Sequence, residues 1–212
     1  MSKTEAPLDA ISHYIPATAA AKVIGLLNQY NVHLTITRER KSVLGDYRHA
    51  THAHTHRISV NGNLNKYSFL ITLIHELAHL VTFLQFRNRV DPHGREWKEV
   101  YARLLSDFLI IDIFPAELQL ELKKSMHNLP ASSCSDDHLM RALRLYDTNS
   151  RGLVLVEEIS EGSLFESGKS QLFRKGKRLR KRFECTEVST GRTFLFSPVY
   201  EVKRIESGPQ VS

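Results

Sequence analysis

His75, Glu76 and His79 stand at positions i, i+1 and i+4 of the segment LITLIHELAHLV, residues 70–81. An α-helix turns about 100° per residue, so side chains four apart share a face one turn apart. Two imidazoles so placed can meet one ion. Zinc accepts neutral imidazole nitrogen, prefers a tetrahedral site and, where it does chemistry, keeps one position for water. Glu76 lies one residue round from His75, beside that water and off the ion. There its carboxylate can take a proton from water that the metal has made acidic. This is the HExxH arrangement. Its neighbours Leu70, Leu73, Ile74, Leu77, Ala78, Leu80 and Val81 are apolar. Three unpartnered polar groups in such a helix would be costly, and a bound ion removes that cost. One Zn2+ ion is therefore expected.

A catalytic zinc needs a third protein ligand. The longer HExxHxxGxxH pattern is excluded, because Thr82 and Gln85 occupy its glycine and third-histidine positions. His93 is the next histidine, in DPHGREWK. Pro92 and Gly94 predict a turn that can bring His93 back over the first helix. Glu99, and less directly Glu96, are the rival donors on the following helix. Asp91 can hydrogen-bond a ligand histidine or cap that helix. Tyr101 shares an apolar stripe with Trp97, Val100, Leu104 and Phe108, which assigns it to core packing in preference to oxyanion stabilisation.

Proline-led, alanine-rich PATAAAKVIGLLNQYN (16–31) predicts a helix. VHLTITRER alternates and predicts a strand; SVLGDYRHATHAHTHRISVNG continues in short strands to the Asn61-Gly62 turn. A helical period holds over 66–86 and again over 95–109, and a third helix follows over 115–128. The segment LPASSCSDD is a linker, with a short helix over 138–146 after it. From Gly152 on, short strands separated by glycine turns predict a small barrel or curled sheet. The reading is thus an α+β fold: a domain at 1–128, a linker with a short helix at 129–148, a small basic β-module at 149–206, and a disordered tail at 207–212.

Composition narrows the function classes. The chain has 212 residues, 42% hydrophobic and 25% charged, an ordinary globular balance. No secretory leader is visible, and no apolar run reaches a bilayer-spanning length without interruption by the His-Glu-His trio. The expectation is a cytoplasmic protein with no membrane partner. Cys134 and Cys185 belong to no CxxC pair and read as free thiols. Residues 1–148 carry 17 basic and 15 acidic side chains, and residues 149–212 carry 12 and 8, so charge rises from +2 to +4 toward the end. All eleven histidines precede residue 139.

Two further runs stand out. His52, His54 and His56 alternate in THAHTH; a strand would point all three to one side. Such a row suits an exposed edge, an accessory metal site or a groove that pairs with a peptide. Seven cations, Arg174, Lys175, Lys177, Arg178, Arg180, Lys181 and Arg182, fall within nine residues between Phe173 and Phe183. That density can follow a phosphate backbone without reading sequence, or it can protect an edge hairpin from aggregation.

HELAHL followed by DPHGREWK resembles the SprT-like metallopeptidase family, where HExxH precedes a histidine in an H-G-x-x-[FW] segment. VLGDYR and ISVNGNL are similar to that family's G-x-[YF] and I-x-[IV]-N strand elements. The resemblance covers residues 16–125. It implies His75, His79 and His93 as ligands, Glu76 as catalytic acid/base, and a small zincin-like (minigluzincin) domain. It also implies a protein substrate and, through the Spartan branch, a link to DNA–protein crosslinks. The resemblance is to the bacterial type, and many SprT-like proteins carry a zinc ribbon of four cysteines after the domain. Here Cys185 alone stands in that neighbourhood, so the ribbon is degenerate and no second zinc is expected. The leading expectation is a zinc endopeptidase associated with DNA. The alternative is a DNA-associated or transcription-related binding factor with a structural or inactive zinc site; a complete HExxH favours the first.

Overall fold

The computed structural model describes residues 8–40, 43–126, 136–148, 152–168 and 170–205. The expected linker residues 129–135, Cys134 and the tail 207–212 lie outside these. The chain divides into two compact units, Met1–Asp147 and Thr148–Ser212.

The first unit opens with a 3-10 turn, Leu8–His13, that seats Ile11 and Ile15 in the core. The sequence carries no periodic signal there, because a single turn needs only two apolar anchors. Helix α1 (Ala17–Gln29) starts after Pro16, whose missing N–H costs nothing at a helix start. It buries Ala19, Val23 and Leu27. Three strands follow: β1 (Val32–Thr37), β2 (Gly45–Arg48) and β3 (His56–Asn61). They lie in the order β1-β3-β2. Strand β3 is central, parallel to β1 and antiparallel to β2, and its Ile58 and Val60 are buried.

Helix α2 (Lys66–Phe86) is the spine of the unit. Asn65 caps it, its side-chain oxygen accepting from the backbone N–H groups of Tyr67 and Ser68. The Asn65 amide in turn donates to Leu143 O (3.0 Å) in helix α5 (Asp137–Arg144), tying the two helices together. Fourteen of the 21 residues of α2 are buried. By length and composition it is apolar enough to cross a membrane, which corrects the expectation that no such run exists. Its apolar surface is spent inside the unit, against β2, β3 and helix α3 (Arg95–Leu109). Helix α4 (Ala116–Ser125) adds Leu118 and Leu122 to the same core. The unit is mixed α+β.

The second unit is an antiparallel sheet. Its strands are β4 (Leu153–Leu155), β5 (Leu164–Ser167), β6 (Gln171–Leu179), β7 (Arg182–Glu187), β8 (Thr193–Phe196) and β9 (Glu201–Arg204). Their order is β4-β9-β5-β6-β7-β8. Its core holds Val156, Ile159, Phe165, Phe173, Phe183, Cys185 and Val202. A bulge interrupts the β6–β7 ladder between Lys175 and Arg178. Gly176 sits in it, and a Cβ there would lie 2.7 Å from Glu184 O, so only glycine allows the two strands this approach.

Candidate metal centre

His75 and His79 come from consecutive turns of α2, and His93 comes from the turn before α3. That turn is closed by Gly94 N–H donating to Asp91 O (3.0 Å). Nε2 of His75 lies 3.2 Å from Nε2 of His79 and 3.4 Å from Nε2 of His93. One nitrogen from each ring lies within 4.8 Å of the others. Zinc–nitrogen bonds of about 2.0–2.1 Å at tetrahedral angles set ligand nitrogens about 3.3–3.4 Å apart. The observed separations match that spacing. Three imidazoles close together could hold a metal ion, and their donor set suits zinc.

The protonation states agree. Burial holds His75 at about 3 and His79 at about 4, with the neighbouring rings adding to the effect. Burial, then Lys98, also lowers His93. All three are neutral at physiological pH and offer lone pairs, the form a metal needs. His75 Nδ1 is buried with no hydrogen-bond partner among the described residues. Packing orients this ring instead: Trp97 meets it edge-on at 4.7 Å and Tyr101 at 5.6 Å. The Trp97 ring also contacts His93 at 4.8 Å and His79 at 5.2 Å. The indole is the shared floor of all three imidazoles, a role its place on an apolar stripe did not reveal.

Glu76 is 6% exposed. Burial, reinforced by Asp46, pushes its carboxyl up to about 8, while Arg40 and a hydrogen bond from the Tyr47 backbone N–H pull it down. Strand β2 therefore touches the acid directly. Gly45 approaches so closely that a Cβ on it would lie 2.7 Å from Glu76 Oε1. Sequence offered only one hint of this approach, a glycine at the start of an otherwise β-forming stretch.

The other candidates separate. Glu99 is turned outward and accepts from Arg95 Nε at 2.8 Å, away from the cluster. Neither it nor Glu96 belongs to the metal group. Asp91 is exposed and contributes its backbone carbonyl, and Gly94 is the cap residue of α3. Tyr101 is buried and stacked on Trp97 at 5.0 Å. The THAHTH row is corrected: Thr51 and His54 bridge across a tight turn, so the segment is not one strand. His52 and His54 are exposed, whereas His56 begins β3 and its Nδ1 lies 2.9 Å from Tyr47 Oη.

In the second unit, the basic run folds into the β6–β7 hairpin. Lys177, Arg178, Arg180, Lys181 and Arg182 are exposed around its tip. Arg180 and Lys181 form the turn and so do not alternate as strand residues. Arg174 is exposed and donates to Gly162 O at 2.9 Å. Lys175 requires correction: it is 5% exposed and lies on the inner side of the hairpin. Its Nζ donates to Ile159 O and lies 4.1 Å from the centre of the Phe183 ring. Period-two alternation from Phe173 already aimed it inward, and the bulge then turns the rest of the run out. Cys185 is a buried free thiol on β7.

Residues 18–119 match the sequence model of the SprT-like family. That span contains the three histidines, Glu76, Gly45 and Trp97. Comparison with curated proteins and with solved structures gives no match. The match to the SprT-like family, a metallopeptidase-like family, spans 102 of the 212 residues of the chain.

Proposed function

We propose that the protein is a zinc-dependent endopeptidase, with His75, His79 and His93 as ligands and Glu76 as the proton carrier. The convergence of three neutral Nε2 atoms beside a buried, unligated glutamate carries this reading. The packing of edge strand β2 against the helix bearing that glutamate supports a zincin-like, minigluzincin arrangement.

Zinc bound there supplies a Lewis acid that polarises a peptide carbonyl and acidifies water. Every other task falls to this chain. Trp97 and the close packing of α2 and α3 hold the imidazoles in place. Glu76 takes the proton from attacking water and returns it to the leaving amine nitrogen. Burial raises its proton affinity toward the neutral range, which suits a group that must both accept and release a proton. The Tyr47 N–H, bonded to the carboxylate, fixes its orientation.

The exposed cations of the β6–β7 hairpin support a second element of the proposal, non-specific association with DNA that brings the enzyme to DNA-bound protein. The same cations favour the alternative of a DNA-associated binding factor. Glu76→Gln separates the two. In the endopeptidase it retains zinc and DNA affinity and abolishes cleavage of protein substrates, with or without DNA. A wild-type protein that binds zinc and DNA and cleaves nothing under either condition is the binding factor.

A further inference from the structure

We infer that Asn61, clasped by Arg40, is a positioning residue that sets the carboxylate of Glu76 through Gly45. The inference rests on the role proposed for Glu76, and neither Asn61 nor Arg40 belongs to the histidine cluster.

Asn61 is the last residue of β3 and is 1% exposed. Its side chain is fully engaged. Oδ1 accepts from Arg40 Nε at 2.8 Å and from Thr37 Oγ1 at 3.1 Å. Nδ2 donates to Arg40 O at 3.0 Å and Val43 O at 3.1 Å, and the backbone N–H donates to Leu44 O at 2.9 Å. The guanidinium of Arg40 donates to Ser59 Oγ at 3.0 Å and Ser59 O at 3.3 Å, locking the clasp to the middle of β3. One buried asparagine thus fixes Arg40, Val43 and Leu44, all in the β1–β2 connection.

A buried asparagine that knits a loop is common, and stability alone could explain it. The next residue changes the meaning. Gly45 follows Leu44 directly and is packed against Glu76. A Cβ on Gly45 would lie 2.7 Å from Glu76 Oε1, 2.9 Å from Glu76 Cγ and 2.8 Å from Thr72 Cγ2. Two residues on, the Tyr47 N–H bonds the same carboxylate. The path from Asn61 to Glu76 is therefore short: amide, Val43–Leu44 carbonyls, Gly45, carboxylate. Displacing the loop moves both the wall and the hydrogen-bond donor of the acid. The histidines, carried by α2 and the turn before α3, lie off this path.

The test uses the full chain loaded with zinc and two variants. Asn61→Asp keeps the acceptor for Arg40 and Thr37 and removes the amide protons that hold Arg40 O and Val43 O. Gly45→Ala leaves the clasp intact and crowds Glu76 directly. Both are expected to bind zinc one-to-one, as wild type does. Both are expected to lower kcat about 10- to 100-fold with KM within about twofold, since a displacement of about 1 Å in catalytic geometry costs on this scale. In Asn61→Asp, amide hydrogen exchange at Tyr47 accelerates while exchange at Leu77, inside α2, is unchanged. Unchanged kcat and unchanged Tyr47 exchange in Asn61→Asp overturn the inference. So does parallel loss of zinc and of Leu77 protection, which marks a purely structural role. If wild type cleaves nothing, the proteolytic reading fails by itself. Tyr47 exchange then decides the positioning alone: acceleration supports it and no change overturns it.

Discussion

Nε2 of His93 lies 3.4 Å from Nε2 of His75, although 18 residues separate them in sequence. The approach is built from two features. Helix α2 ends at Phe86, and Arg87, at φ 56°, turns the chain out of the helix. The turn closed by Gly94 N–H and Asp91 O then starts α3 with Trp97 already under the rings. A third nitrogen is delivered by a turn, held by the packing of two helices.

Removing that nitrogen tests its role against its rival. His93→Ala is expected to lower zinc affinity by at least about tenfold, because it takes one of three protein donors. Glu99→Ala is expected to bind zinc as wild type does, since Glu99 pairs with Arg95 on the outer face of α3. Competitive titration against a chelator of known affinity measures both.

Trp97 is fully buried and touches all three imidazoles. Trp97→Ala is expected to destabilise the protein by about 3–5 kcal/mol through the cavity it leaves. Trp97→Phe retains a ring and is expected to lose less stability, with zinc still bound one-to-one. Denaturant unfolding and metal analysis of the two variants check this.

The metal-free protein is expected to be most stable near pH 6.5. The folded pKa values of His75 and His79, about 3 and about 4, lie below the ordinary 6.5, so the unfolded chain binds more protons as pH falls from there and stability drops. Glu76 works in the other direction. Its folded value of about 8 lies above the ordinary 4.5, so its contribution is complete below pH 4.5 and is lost as pH rises through 8. Between 4.5 and 6.5 the two histidines outweigh the one acid. Glu76→Gln is expected to remove the decline above pH 6.5 and leave the acid limb. Thermal melting across pH in the presence of a chelator reads both limbs.

The basic hairpin makes a contrast between neighbouring residues. Replacing Arg180, Lys181 and Arg182 with alanine is expected to weaken DNA binding uniformly across sequences. The slope of log affinity against log salt should flatten by about 1 for each cation that had neutralised a phosphate. Lys175→Ala is expected to leave that slope unchanged. It should instead destabilise the second unit by about 1–3 kcal/mol, because buried carbonyls lose their donor. Binding at several salt concentrations, with melting curves, separates the two effects.

The parts of this structure legible in sequence are those set by local pattern. Helices α2 and α3 run from Lys66 to Phe86 and from Arg95 to Leu109, the spans their apolar periodicity indicates. His75 and His79 share a face by helix geometry alone, and Pro92 and Gly94 mark the turn that carries His93. What sequence hides is the meeting of distant segments. Gly45 meets Glu76 31 positions away, and nothing local distinguishes it from any turn glycine. Asn61 reads as half of an Asn-Gly turn, yet its amide organises the connection between β1 and β2. Lys175 is hidden for another reason: charge density alone suggests an exposed run, while strand alternation and a bulge decide which cations face solvent.

X-ray absorption at the zinc edge tests the centre most directly. The full chain, purified with one equivalent of zinc, is expected to show nitrogen donors at about 2.0–2.1 Å with the signature of three imidazoles and no sulfur. Glu76→Gln is expected to leave that spectrum's histidine shell intact. A spectrum with fewer than three histidine nitrogens, with thiolate sulfur, or with a histidine shell altered by Glu76→Gln would contradict a three-histidine site beside a free acid.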